Sequence, residues 1–392
     1  MTAQYSILVV AACPFPYPRG TPLRILRMAE SLAARGHHVE VAAYHLEQRL
    51  EDLPFPVHRI PALPTYRKYS PGPTYQKLFV LDTLLAGRIF SLARGGRFDV
   101  IHAHHYEGLL ASLPAARLLR IPLVFDVHTL LSTELPLYSM GLPPAWLRGL
   151  GGALDRSLPP LADHIVAVTN SIREKLIAQI HIVPDRVTTV YSGLEADHFK
   201  GARAADIRAE PDTLIYTGNL AEYQGIDLML RALRRVLDRR PAVRLKIVSD
   251  WELAPYEGLI RELRLEEALE LIRADYFHLP QQLHTASVAL SPRVVCDGLP
   301  LKTLNYMATG RAIVSFQGSA EVLEHRRTAL IVPDRDIAAF ASAILELLDN
   351  PGLAGQLGEN ARAHVEEFFL WESAVQRLEE IYRTILRPRP PR

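Results

Sequence analysis

Cysteine is scarce in this chain: Cys13 and Cys296 are the only two among 392 residues. Two thiols cannot supply a disulfide framework or a cysteine-built zinc site, which points to a reducing compartment and a cytoplasmic setting. An excess of one charge is missing as well. Lysine and arginine number 44 against 43 acidic residues, a formal net charge of +1, so no general positive field favours nucleic acid as a partner. No apolar run is long enough to span a bilayer, and the run from Tyr5 to Cys13, which carries no basic n-region, reads as a buried strand. The glycine-rich dinucleotide fingerprint is also absent. That first strand leads into Cys13-Pro14-Phe15-Pro16, which disfavours an oxidoreductase.

What is present is the balance of a folded globular protein, with 48% hydrophobic and 22% charged residues. The length exceeds one typical core and suits two domains with a cleft. Residues 6–12 form a short apolar run, followed by a proline-rich loop to Gly20, a periodic segment over 23–34, a stop at Gly36 and a second strand over 39–44. This is a βαβ unit and requires a parallel sheet. Further strands are expected at 100–103, 123–127 and 165–168, with a helix over 171–180, so the first half is α/β and doubly wound. A polar linker is placed at 195–212. Beyond it a second Rossmann-like series has strands at 214–217, 243–248, 288–290 and 312–315, and helices such as 228–239 and 259–264. A last helix over 371–386 carries Val375, Leu378, Ile381, Tyr382 and Ile385 on one stripe, and the Arg-Pro tail after it is expected to be disordered.

The stretch Asp297-Gly298-Leu299-Pro300-Leu301-Lys302-Thr303-Leu304-Asn305 sets polar groups eight positions apart across a helix start. Pro300 suits the first helical position, and Lys302 and Asn305 share one face. The unpaired N–H groups of an opening turn, with the positive end of its dipole, favour a diphosphate, so the motif reads as a nucleotide-sugar site.

With two such domains and this motif, the chain resembles the retaining GT-B glycosyltransferases of family 4 over nearly all its length. The stretches Gly218-Asn219-Leu220-Ala221-Glu222-Tyr223-Gln224-Gly225 and Gly36-His37-His38-Val39 support the likeness. The resemblance implies an α/β GT-B fold with two Rossmann-like domains facing a central cleft. Residues 1–198 would hold the acceptor, with a helix at 371–387 crossing back to them. Residues 199–370 would hold the donor, and 388–392 a disordered tail.

In that family two glutamates bracket the donor. Here Asp297 and Asn305 stand in their places, Asp297 near the sugar and Asn305 on the ribose, where an amide forfeits a charge-assisted bond. The family also places Arg and Lys around the positions of Asn219 and Gln224 to meet the leaving diphosphate. Neither cation is present, and Lys302, with Arg293 beside the motif, is the substitute. Gly218, Gly298 and Leu299 complete the implied donor-binding set. In the first domain the likeness implies Gly20 and Arg24 on the donor phosphate and His128, at the carboxyl end of its strand, close to the reacting sugar.

The reaction implied is transfer of a hexose-like group from a nucleoside-diphosphate sugar to a hydroxyl with retention at the anomeric carbon, by a same-face displacement that needs positioning and charge stabilisation. No cofactor is expected. His102, His104 and His105 could be weighed as metal ligands, but Glu107 is the one acidic residue near them in sequence, and no metal is expected; one of these histidines should face the cleft. Residues 53–98 combine seven basic side chains with apolar Phe79, Leu84, Leu85, Ile89 and Phe90 and only Asp82 as an acid, a surface that can dock on anionic lipid and suits a lipid-linked or nascent polysaccharide acceptor at the inner face of the membrane. A nucleotide-sugar epimerase of the same fold and a catalytically degenerate nucleotide-sugar binder are the alternatives.

Overall fold

The structure is a computed structural model and describes residues 4–17, 20–47, 52–69, 72, 74–138, 141–194, 209–273, 278–295 and 301–386. Cys296, Asp297, Gly298, Leu299, Pro300, most of the expected linker and the tail lie outside the described residues. The chain divides into two compact units, Met1–Gly193 with Trp371–Arg392, and Leu194–Leu370.

In the first unit the described strands are β1 (Ser6–Ala11), β2 (His38–Ala43), β3 (Val57–Arg59), β4 (Val100–His104), β5 (Leu123–Val127), β6 (His164–Ala167) and β7 (Val187–Thr189). They form one parallel sheet in the order β3-β2-β1-β4-β5-β6-β7. The second unit holds β8 (Thr213–Thr217), β9 (Arg244–Val248), β10 (Leu269–Ile272), β11 (Val288–Ser291), β12 (Ala312–Phe316) and β13 (Leu330–Val332), parallel in the order β10-β9-β8-β11-β12-β13. Central strands such as β1 and β8 are buried nearly throughout, which is why they read as unbroken apolar runs and not as alternating ones. The strands β3, β7, β10 and β13 escape the sequence reading. Each is a three- or four-residue edge strand with polar or half-buried positions, too short for a period to show.

Strand order reverses between β1 and β4 in one sheet and between β8 and β11 in the other. At such a point the loops leaving adjacent strands diverge to opposite faces, and the carboxyl ends open into a crevice where ligands sit. The helix Trp371–Leu386 belongs to the first unit, because Trp371, Val375, Leu378 and Tyr382 join the core built from Ile7, Val9, Ile25 and Met28. Its Glu379 accepts from the Arg35 guanidinium at 2.7 and 2.8 Å and lies 2.9 Å from His37.

The structure corrects the expectation of one basic apolar surface across 53–98. Leu81, Leu85, Ile89 and Ala93 are buried in the first core, with Leu84 and Phe90 packed against it. Lys77 pairs with Glu107 and Arg59 with Glu47, so part of the positive charge is structural too. The bulky apolar groups left facing solvent here are Tyr69, Tyr75, Leu78, Phe79 and Val80. Among the described residues no single helix is long and apolar enough to cross a membrane.

Candidate active site

In the second unit the polar groups gather at the carboxyl ends of β8 and β11. Gly218, directly after β8, has φ +125°, which favours glycine strongly, and a side chain there would sit 3.7 Å from the Lys302 ammonium. Gly225 has φ +72°, and a Cβ would lie 2.2 Å from the Pro292 carbonyl oxygen, so the loop after β8 packs on the loop after β11 with no room for alanine. Lys302 rises from the helix Leu301–Ala308 onto this junction. Its Nζ donates to the Gln224 Oε1 at 2.7 Å and to the Tyr216 hydroxyl at 3.0 Å, and stands 4.2 Å from the Tyr216 ring centre.

The placement of Lys302 follows from Tyr306, one turn further along the same face. The Tyr306 hydroxyl accepts from the Thr217 N–H at 2.8 Å and lies 3.1 Å from the Thr217 hydroxyl, which locks this helix to the end of β8. Burial pushes the Tyr306 phenol up to about 12 and the Tyr216 phenol higher still, so both stay neutral beside the lysine. Asn305 is buried on the same helix. Asn219 is spent locally: its Nδ2 donates to the Tyr223 hydroxyl at 3.1 Å and its Oδ1 accepts from the Ala221 N–H at 3.2 Å. Arg293 lies over Tyr223 at 4.9 Å while its Nε donates to the Val295 carbonyl. Thus Gly218, Gln224 and Lys302 come together, and Asn219 and Arg293 meet through Tyr223.

In the first unit the cluster lies beside the reversal between β1 and β4. Asp126, at 0% exposure on β5, accepts from the Arg24 guanidinium at 3.2 Å and is ringed by His102 and His104 on β4 and His128 just past β5, at 3.6–3.7 Å. The His104 Nδ1 and His128 Nε2 are 3.1 Å apart, and the His128 Nδ1 faces the Thr21 hydroxyl at 3.5 Å. Tyr382, from the C-terminal helix, closes the far end at 2.6 Å from the His102 Nδ1. Gly20 begins the first helix with φ +54° and open space where a side chain would be. Arg24, expected on the donor phosphate, is engaged inside: besides Asp126 it donates to the Ser192 hydroxyl at 3.0 Å and the Val190 carbonyl at 2.8 Å, so it serves as a buried counter-charge.

His102 and His104 are buried, which leaves His105 as the member of that run nearest the surface. It holds φ +63°, rare for a residue with a side chain, and its ring stacks on His128 at 4.8 Å. The metal question also needs correction, because a carboxylate does complete the histidine set: ligand atoms of His102, His104 and Asp126 lie within 4.8 Å of one another. The arrangement still does not suit a divalent ion. Arg24 already balances the one carboxylate, and a further double charge in that buried space would be unopposed.

Residues 18–198 match the Glycosyltransferase Family 4 model and residues 211–350 the Glycosyl transferases group 1 model. The chain belongs to glycosyltransferase family 4. Among curated relatives, the D-inositol 3-phosphate glycosyltransferase of Thermobispora bispora is 28% identical over 94% of this chain and 90% of its own length. Among solved structures, sucrose-phosphate synthase from Thermosynechococcus elongatus superposes with a TM-score of 0.79 at 19% identity, covering 97% of this chain and 99% of that one. Anabaena HepE in complex with UDP and glucose gives 0.73 at 16%, covering 97% and 100%. These two likenesses establish the GT-B fold of this glycosyltransferase.

Three residues that the structure places among these side chains were not read as site residues: Asp126, Tyr216 and Tyr306. Asp126 left a signal, a lone charge inside the apolar strand Leu123–Val127, since a buried acid requires a partner. Tyr216 left none, because an aromatic residue in a strand reads as core, and Tyr306 stood out only as the aromatic before Met307-Ala308 that the family likeness shares.

The cluster is expected to make the glycosyltransferase acid-sensitive. Burial drives the His104 and His128 imidazoles well below their ordinary value, and Asp126 does not restore them. Burial alone would raise the Asp126 carboxyl, but Arg24 and the imidazoles outweigh it and hold it well below the carboxylate range. Both kinds of shift are depressions, so their stability is complete above the unfolded imidazole value of about 6.5 and is lost as pH falls. Asp82, pushed up to about 6 by burial, acts in the opposite sense over a narrower range. The unfolding temperature is expected to drop between pH 7.5 and pH 5; a scanning-calorimetry midpoint that rose on acidification would contradict this reading.

Proposed function

We propose that the enzyme is a retaining glycosyltransferase that takes a nucleoside-diphosphate sugar in the Leu194–Leu370 unit and a hydroxyl acceptor, lipid-linked or part of a cell-surface polysaccharide, in the first unit. The observation that carries the donor assignment is Lys302. It is held by Gln224 and Tyr216, next to the Gly218 turn and at the strand-order reversal. A diphosphate leaving group develops charge as the anomeric bond breaks, and a fixed ammonium in a partly desolvated crevice stabilises that charge without reorganising. Lys302 supplies the cation that family 4 members place near Asn219 and Gln224. Asn305 would meet the ribose, and Asp297, outside the described residues, a sugar hydroxyl.

The acceptor hydroxyl attacks from the face the phosphate leaves, and a leaving-phosphate oxygen takes its proton, so no enzyme nucleophile is required and alignment supplies much of the rate. His128 orients the sugar. Its ring is set by His104 and Thr21 at its two nitrogens, with Asp126 behind them. No metal or other cofactor enters this scheme.

Because HepE was solved with UDP and glucose, a uridine diphosphate sugar is the first donor to test. Thermal shift with uridine, guanosine and adenosine diphosphate sugars is expected to raise the melting temperature for one base, and that donor should release nucleoside diphosphate when acceptor is supplied. Stabilisation with no nucleotide release under any acceptor would favour a degenerate binder, a reading that the locally satisfied Asn219 side chain keeps open. Sugar interconversion with no net release would favour an epimerase. No stabilisation by any of the three would remove the donor assignment.

A further inference from the structure

The first unit turns bulky apolar side chains to solvent in two segments that its core does not use. Tyr75 is 84% exposed and Phe79 71%, at the entry to the helix that ends at Gly95; Leu137 is 80% exposed and Trp146 72%, in the segment beyond β5. Leu150, one turn past Trp146, is exposed on the same side of the helix Pro144–Ser157. That helix is firmly held by its other face, where Leu147, Gly151 and Asp155 are buried. A Cβ on Gly151 would lie 2.4 Å from the Leu131 carbonyl oxygen, and the Asp155 carboxylate accepts the Leu131 and Ser132 N–H groups at 2.9 Å each. A helix that packs one apolar face and still shows another has a second surface to bury.

The two segments adjoin. The Tyr138 ring, next to Leu137, lies 3.0 Å from where a Cβ on Gly72 would stand, three residues before Tyr75, and the Lys68 ammonium is 3.4 Å from the same point. Acids are few in both: residues 53–81 contain none, in 135–157 the one acid is Asp155, which is buried, and Glu134 just before accepts from the Thr129 and Tyr138 hydroxyls. Arg67, Arg148 and Arg156 are exposed around the apolar groups. A second copy of the chain would set these cations against one another across a two-fold contact, which opposes self-association. Aromatic rings among cations, with the neighbouring carboxylates of Glu134 and Glu107 already engaged by Tyr138 and Lys77, match the headgroup boundary of an anionic bilayer.

We propose that this face docks the enzyme on an anionic lipid surface, Trp146 and Leu150 entering the boundary from one side and Tyr75 and Phe79 from the other. The proposal deepens the lipid-linked acceptor reading. Its test contains no donor or acceptor, so its failure and the failure of the transferase reading are told apart.

The full chain is mixed with vesicles of phosphatidylcholine, alone or with about 30% phosphatidylglycerol, at low and high salt. Binding is expected with the anionic vesicles alone and should weaken with salt. The variants Trp146→Ser with Leu150→Ser, and Tyr75→Ser with Phe79→Ser, should each lower the partition by about tenfold or more while keeping the parent melting temperature. Vesicles should also shift the tryptophan emission to the blue in the parent and not in Trp146→Phe, which reports burial of that ring in particular. Absence of binding at low salt, partition unchanged by either pair, or a parent-like blue shift in Trp146→Phe each overturns the proposal. So does a dimer in light scattering that Trp146→Ser dissolves, which would make the face a self-contact.

Discussion

Replacing Lys302 by alanine is expected to lower kcat/KM for the preferred donor by ~10²–10³-fold, the range found when one preorganised donor to a developing oxyanion is removed. The expectation rests on placement as well as charge. The ammonium bridges Gln224 and Tyr216, so it is presented from a fixed point and not from a swinging stem. The Tyr306 bond to Thr217 holds the helix behind it. Stability should change little, because Lys302 is only half-buried and water can take up the Gln224 and Tyr216 oxygens it leaves. Nucleotide release by the Lys302→Ala variant, compared with the parent at equal melting temperature, decides the matter: parent-like turnover would show that another group meets the diphosphate. Lys302→Arg should recover only part of the rate, since a planar fork cannot reproduce a point contact to both partners.

Replacing Asp126 by asparagine is expected to give the largest loss of stability, about 3–5 kcal/mol, because it leaves the buried Arg24 guanidinium without its carboxylate. His104 and His128 cannot compensate, since burial disfavours their charged forms and they already crowd the site. Activity should fall with it, as the His128 ring loses the charge behind it. Chemical denaturation of the parent, Asp126→Asn and the pair Arg24→Met with Asp126→Leu provides the check. The pair should regain more than half of the lost stability, because removing both charges removes the desolvation penalty together with the attraction. An Asp126→Asn variant within about 1 kcal/mol of the parent would mean that Arg24 is held chiefly by Ser192 and Val190.

The local elements were legible wherever one stretch of chain contains its own reason to form. Leu123–Val127 is an unbroken buried strand, and Trp371–Leu386 shows its stripe at helical spacing; both were read with their limits in place. The edge strands were not, because three residues paired on one side obey the neighbour they lie against and not a pattern of their own. The basic apolar stretch at 53–98 misled in a definite way. Leu85 and Ile89 satisfy the same spacing whether they face lipid or a core, and the core claimed them.

At the candidate site, residue type alone drew attention to the glycines and the lysine, and the structure places Gly218 beside Lys302. A glycine at φ +125° and a cation on a helix start announce a close approach and an anion. Partnership was not readable. The family likeness implied a phosphate for Arg24, and in the structure its guanidinium answers Asp126, about a hundred positions away in the chain. His105 and His128 are neighbours for the same kind of reason: β4 and β5 pair side by side, bringing their carboxyl ends together.

By itself, then, the sequence determined the two parallel-sheet domains and the family, since burial pattern and motif order are properties of the chain read in line. Only the tertiary structure decided which charges are spent inside and which remain for a ligand. Pairing energy depends on distance through space, and a guanidinium has no way to show in sequence which carboxylate the sheet will bring to it.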